Sequence, residues 1–121
     1  MARILIVDDD EQVRTMLRHT LEREGYEVVE ASNGSQALDR YRAAPADVVL
    51  TDLIMPDMEG IETITSLRGQ HPEAKIIAMS GGGYVGPQSY LDSARMVGAA
   101  YAFSKPIDRE ELLNAIRQLV A

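Results

Sequence analysis

An α/β fold is what this sequence predicts: one doubly wound sheet of five parallel strands with helices on both faces. Two observations carry the prediction. Short apolar runs rich in Val and Ile alternate five times with stretches whose apolar residues recur at helical spacing. The links between them are short and punctuated by Gly, Pro or Asn. Regular strand–helix alternation of this kind calls for a parallel sheet with right-handed crossovers.

Arg3 to Val7 reads as the first buried strand, closed by Asp8-Asp9-Asp10. Val13, Leu17 and Leu21 then mark a helix ending at Gly25, with Asp10 as its N-cap. Tyr26 to Ala31 alternates and is rich in Val, which suits a second strand. Asn33-Gly34 turns into a helix from about Ser35 to Ala43 carrying Ala37, Leu38 and Tyr41, and Pro45 ends it. The third strand is Val48-Val49-Leu50, an uninterrupted apolar run that ends on Asp52 before Met55-Pro56. Gly60 opens a third helix with Ile61, Ile64 and Leu67 inward. His71-Pro72 breaks the chain ahead of strand four, Lys75 to Met79. A loop from Ser80 to Gly83 leads to a fourth helix from about Gln88 to Val97. Ala100 to Ser104 is a short fifth strand, followed by Lys105-Pro106. Asp108 and Glu111 then form a capping-box-like start to a fifth helix that buries Leu112, Leu113, Ile116, Leu119 and Val120.

Residues 1–121 therefore read as a single domain without repeats, linkers or low-complexity segments. A net charge of −7 excludes a phosphate-backbone binder, which would gather Lys and Arg on one face. With no cysteine there are no disulfides and no thiolate metal sites, as suits a reducing compartment. The only early apolar run, Ile4 to Val7, is too short for a signal peptide or a membrane span, so the cytoplasm is the expected location.

In such a sheet, ligands bind beyond the carboxyl ends of the strands, at a topological switch point. Asp8 and Asp9 follow strand one, Asp52 strand three, Ser80 strand four and Lys105 strand five, so all five gather at one edge. Taken singly, each acid is better read as a helix cap or a solvated loop charge, and Asp10, Asp57 and Asp108 are assigned that way. The joint placement of the five is different. Clustered carboxylates repel and partly protonate unless a cation neutralises them. An all-oxygen set of two or three acids with waters suits Mg²⁺ (or Mn²⁺) better than a caged Ca²⁺. A metal, an ammonium and a hydroxyl together fit a transferring phosphoryl group. A carboxylate beside the metal can be the nucleophile, and Asp52, on the most central strand, is the candidate.

Ile4-Leu5-Ile6-Val7-Asp8-Asp9-Asp10, Asp52-x-x-Met55-Pro56-x-x-x-Gly60, Ser80 and Lys105-Pro106 together resemble the receiver domain of two-component response regulators, of the stand-alone, chemotaxis-type single-domain kind. The resemblance covers essentially the whole chain, in order. It implies a flavodoxin-like strand order, 2-1-3-4-5. It also implies a metal site made by Asp8, Asp9, Asp52 and the backbone carbonyl of Ile54. Asp52 would be the phosphoacceptor, Ser80 would bind and report the phosphoryl oxygens, and Lys105 would pair with the phosphoryl group, across a cis peptide to Pro106. The implied activity is a phosphorelay switch: Asp52 accepts a phosphoryl group from a histidine kinase or histidine phosphotransfer protein in a Mg²⁺-dependent reaction and slowly hydrolyses it. That is self-phosphorylation and autodephosphorylation rather than conventional enzyme turnover. The output would be changed protein contacts through the face built by the fourth helix, fifth strand and fifth helix, with Tyr101, Ala102 and Pro106 on it. An unidentified downstream protein would read that face, which also allows a homodimer; neither nucleic acid nor membrane is an expected partner.

Two departures from the family stand out. Three residues before the lysine, where receivers usually carry a rotating Tyr or Phe, this chain has Ala102. Tyr101 and Phe103 flank it, and strand alternation points both to the opposite face. The stretch from Ser80 to Lys105 is also long for the family, with the extra residues between Gly81 and Pro87.

Other readings fall to the residues. Gly81, Gly83 and Gly86 satisfy G-x-G-x-x-G, but Pro87 follows at once, no acid lies about 20 residues on, and a second mononucleotide half is missing. No Gly-Lys-Ser/Thr occurs, which excludes a Walker A loop. His19 and His71 read as surface residues, and the six methionines as core. An Asp-nucleophile phosphohydrolase would carry a second acid two residues after Asp52, where Ile54 stands. The remaining alternative is a phosphorylation-independent interaction module on the same fold, favoured by Ala102 and opposed by the intact set of acids.

Overall fold

The structure is a computed structural model and describes residues 2–53, 60–80, 94–105 and 107–121. Five strands, β1 (Arg3–Val7), β2 (Glu27–Ala31), β3 (Val48–Asp52), β4 (Ile76–Ser80) and β5 (Tyr101–Ser104), form one sheet in the order β2-β1-β3-β4-β5. Every pairing is parallel. Helices α1 (Glu11–Arg23), α2 (Gly34–Ala43) and α3 (Gly60–Gln70) follow the first three strands, and a C-terminal helix (Arg109–Val120) follows β5. Residues 94–96 are helical, at the position expected for the end of the fourth helix; the rest of that prediction lies outside the described residues.

The inner strands are buried on both faces, and so they read as continuous apolar runs rather than alternating ones. Alternation still assigns each side chain to a layer. Ile4, Ile6, Val48, Leu50, Ile77 and Met79 meet α1 and the C-terminal helix through Leu17, Leu21, Leu112 and Ile116. Leu5, Val7, Val49, Ile76 and Ala78 face the other way, onto Ala37 and Tyr41 of α2 and Ile64 and Leu67 of α3.

Helix starts follow their capping residues. Asp10 accepts from the backbone N–H of Gln12 and Val13, Asn33 from Gln36 and Asp108 from Glu111. Asn33-Gly34 is thus a cap and first helical residue rather than a separate turn. Gly25, at φ 91°, takes the left-handed conformation that ends α1.

Three expectations need correcting. Ser80 is not in the loop: it is the last residue of β4 and is fully buried. His71 is not a free surface residue, because its ring packs at 4.6 Å from that of Tyr41 and buries Nε2. Nor are all methionines core. Met79 is, but Met16 and Met96 are 59% and 88% exposed, each on the solvent side of its helical turn, while Met1, Met55 and Met58 lie outside the described residues.

Candidate functional site

Register decides which strand ends coincide. Val7 pairs with Thr51, so Asp8 stands one step further on, level with Asp52. Asp52 pairs with Met79, and Met79 with Phe103. Asp8, Asp52, Phe103 and Lys105 share the alternation of the sheet face covered by α1 and the C-terminal helix. Ser80, of the opposite parity, pairs with Ser104.

The side chains converge as the parity requires. Lys105 Nζ lies 2.9 Å from Asp8 Oδ2 and 3.3 Å from Asp52 Oδ2. Asp8 is fully buried and Asp52 nearly so, whereas Asp9 is exposed. One carboxylate oxygen from each of Asp8, Asp9 and Asp52 lies within 4.8 Å of the other two. The second oxygen of Asp8 accepts the Asp10 N–H at 2.9 Å. Carboxylates at that depth are tolerated because an ammonium and backbone donors offset their desolvation.

Lys105 is held to this duty by its backbone as well, its N–H donating to the Ser80 carbonyl at 2.8 Å. Burial alone would lower its pKa. The hydrogen bond to Asp8 and the charges of Asp52 and Asp8 outweigh that, leaving the ammonium above its ordinary value and charged at neutral pH. The Ser80 hydroxyl is buried and has no hydrogen-bond partner among the described residues. A fully buried hydroxyl left so is costly unless a ligand oxygen meets it.

Two supporting residues escaped the sequence reading. The Arg14 guanidinium donates to the Asp8 carbonyl at 2.6 Å and so fixes the chain where the acids begin. Its position one turn into α1, on the sheet-facing side, was the available signal. Gly60 entered as the opening of a helix and as the end of the Asp52-x-x-Met55-Pro56-x-x-x-Gly60 motif, with no packing role, yet it packs on the end of β3. A Cβ there would sit 2.3 Å from both the Asp52 carbonyl oxygen and the Leu53 Cα. The Gly60 N–H donates to the Leu53 carbonyl at 2.9 Å.

Of the expected signalling-face residues, Ala102 is buried on the α2/α3 side with Ala78, Ala94 and Ala99. Tyr101 and Phe103 lie on the opposite face with rings stacked, 6.1 Å between centroids and 5° between planes, as alternation predicts. Ile54, Pro106, Asp57 and the segment 81–93 lie outside the described residues, and with them the glycine motif of that loop.

The donor set fits a hard divalent cation: three carboxylates from two strand ends, converging on one point, with no nitrogen or sulfur ligand among them. Among the described residues no helix is long and apolar enough to cross a membrane.

Comparison with known proteins agrees with this geometry. Residues 4–117 match the family model of the response regulator receiver domain. The chain is 38% identical over 117 residues to the chemotaxis protein CheY of Bacillus subtilis, covering 96% of this chain and 95% of that one. It is 33% identical over 116 residues to sporulation initiation phosphotransferase F of the same organism, covering 96% and 91%. The response regulator TrrA of Thermotoga maritima, solved in complex with Mg²⁺-BeF, superposes with a TM-score of 0.87 at 32% identity, covering 98% of this chain and 99% of that one. A five-stranded parallel sheet in the flavodoxin-like order, closing on an acidic edge with a lysine across it, and these relatives over nearly the full length lead to one conclusion: the chain belongs to the receiver domains of two-component response regulators.

Proposed function

We propose that the chain acts over residues 1–121 as a single receiver domain in the cytoplasm, with Asp52 as the phosphoacceptor of a two-component phosphorelay. The observation that carries this is the Lys105 ammonium lying between Asp8 and Asp52, beside a carboxylate of Asp9 and one register step from a buried Ser80 hydroxyl that has no partner among the described residues. A group that fits there brings one cation to the acids and oxygens to Lys105 and Ser80, which describes a metal-bound phosphoryl group.

Asp8, Asp9 and Asp52, with the Ile54 carbonyl, would hold Mg²⁺ or Mn²⁺. When bound, the ion neutralises charge on the phosphoryl oxygens during transfer. The rest of the work falls to the chain. An Asp52 Oδ attacks phosphorus in line as the phosphorus–nitrogen bond to the donor histidine breaks, and the imidazole leaves with a proton from solvent. Lys105 shifts its attraction from the Asp52 carboxylate to the new phosphoryl oxygens. Ser80, already desolvated, donates to one of them. Hydrolysis reverses the bond change: water attacks phosphorus and the Asp52 carboxylate departs.

The donor is a histidine kinase or histidine phosphotransfer protein, in keeping with the similarity to a phosphotransferase of a sporulation pathway. Phosphorylation adds about −1.5 to −2 charge at this edge. We place the output on the face built by the fourth helix, β5 and the C-terminal helix, near Tyr101, Ala102 and Pro106, where an unidentified protein or a second copy docks. Since Ala102 offers no ring to rotate, backbone movement through Ser80 and Lys105 carries the change.

Incubation with Mg²⁺ and acetyl phosphate, followed by intact-mass measurement, is the test. One added phosphoryl group is expected, absent in Asp52→Ala and absent in EDTA. No adduct in the wild type, or an adduct that persists in Asp52→Ala, overturns the assignment. The interaction-module alternative predicts partner binding indifferent to that treatment.

A further inference from the structure

On the β2 edge of the molecule lies a polar cleft of about 500 Å³ between α1, the end of β2 and the start of α2. Three arginines enter it: Arg14 and Arg18 from α1, spaced one turn apart, and Arg40 from α2. All three bond Glu30, two at its carboxylate and one at its backbone carbonyl. Arg14 Nε donates to Glu30 Oε1 at 3.0 Å, Arg18 Nη1 donates to Oε2, and Arg40 Nε donates to the Glu30 carbonyl at 3.2 Å. Glu30 shares the parity of Val28, so it points towards α1 from a strand whose neighbours there are apolar.

Three guanidiniums meet the carboxylates of Glu30 and Glu11 on the lining and that of Glu22, which pairs with Arg18 Nε at 3.3 Å, so the charges come close to balancing and the excess is one of donors. Three of the protein's 12 cationic residues are gathered in this one place. Each guanidinium carries five N–H groups. Beyond its Nε, Arg40 has no acceptor among the described residues, and its side chain is exposed. Gln36 adds another donor: its Oε1 accepts both the Ser32 N–H and the Ser32 hydroxyl, at 2.9 and 3.0 Å, while its amide NH₂ meets no acceptor among the described residues.

We propose that this cleft binds a small phosphate-bearing ligand, its oxygens received by Arg40, Arg14 and the Gln36 amide, with Glu30 holding the guanidiniums in place. Donors arriving from three residues on two helices match a tetrahedral oxyanion better than a flat carboxylate, and arginine is the side chain suited to bidentate phosphate contacts. The cleft volume falls in the range of small-molecule sites rather than of a docking face. None of Asp8, Asp9, Asp52 and Lys105 lines this cleft, which touches the acidic edge only through the backbone of Asp8, and its binding does not depend on phosphorylation of Asp52.

The probe is inorganic phosphate, titrated in EDTA at constant ionic strength while backbone amide resonances are followed by NMR. Saturable shifts centred on Ser32, Gln36 and Arg40 are expected, with the same Kd in Asp52→Asn. Arg40 is the residue to change, because Arg14 also holds the Asp8 carbonyl. Arg40→Gln should keep the wild-type spectrum elsewhere and weaken binding by about tenfold or more, as loss of a charged hydrogen-bonding partner does. Shifts that do not saturate, that chloride reproduces equally, or that Arg40→Gln leaves unchanged overturn the proposal. So does a hexaglutamate peptide that binds these residues more tightly than phosphate, since the cleft would then be a docking site for acidic protein segments.

Discussion

Replacing Lys105 by Met tests the electrostatic reading of the acidic edge without touching an acid. In the wild type the ammonium stands 2.9 Å from Asp8 and 3.3 Å from Asp52. At an effective dielectric constant near 20, these attractions are roughly 6 and 5 kcal/mol before desolvation is subtracted. Methionine keeps the apolar stem but removes the charge. Asp8 and Asp52 remain, desolvated, and oxygens of the three acids lie within 4.8 Å of one another, where each pair repels by roughly 3 kcal/mol or more. Orphaning buried charge in this way costs about 3–5 kcal/mol net.

Urea denaturation in EDTA measures it. At about pH 8 the variant should lose about 3–5 kcal/mol of unfolding free energy with an unchanged m-value. Saturating Mg²⁺ should restore the variant, by about 2.7 kcal/mol at 100-fold over Kd. The wild-type contribution of Lys105 has its own window. Its pKa is raised in the fold, so its stabilisation is fully present below the ordinary value of 10.5 and is lost as pH climbs through the higher folded value. A variant within about 0.5 kcal/mol of wild type in EDTA, with no response to Mg²⁺, refutes the claim that Lys105 neutralises these acids.

Gly60→Ala drives a methyl group to within 2.3 Å of the backbone after Asp52, so melting should show a loss of at least about 1–3 kcal/mol together with slower phosphorylation from acetyl phosphate. Asp10→Ala removes the oxygen that receives the Gln12 and Val13 N–H groups, and chemical denaturation should register a loss of about 1 kcal/mol. Burial first, then Glu73 and Asp47, raise the Tyr41 pKa above 10.0. The stabilisation from keeping this phenol neutral is complete below that value and lost as pH rises through the folded one, so Tyr41→Phe should unfold at higher pH than wild type in an alkaline titration followed by circular dichroism.

The sheet was legible because its signals are local and repeated. Val48 to Leu50 and Ile76 to Met79 are apolar throughout since both faces of an inner parallel strand are covered, and the register then brings Asp8 level with Asp52. The acids and Lys105 were legible because strand ends are where such a sheet exposes polar groups. What stayed hidden depends on pairs distant in sequence. Nothing near Lys105 names Asp8 as its nearest partner, 97 residues away, nor does His71-Pro72 announce the Tyr41 ring that half-buries the imidazole. Met16 and Met96 were misplaced because residue type was allowed to stand for helix phase: Met16 precedes the inward-facing Leu17 by one position, about 100° around the helix. Glu30 is the instructive miss. Its parity in β2 matched Val28, so it had to point under α1, and an acid aimed there required a cation; Arg14 and Arg18, four residues apart on α1, were the residues within reach. Glu30 and Asp52 obey one rule: a carboxylate beside a buried strand needs a positive group, which is Lys105 for Asp52 and the paired arginines of α1 for Glu30.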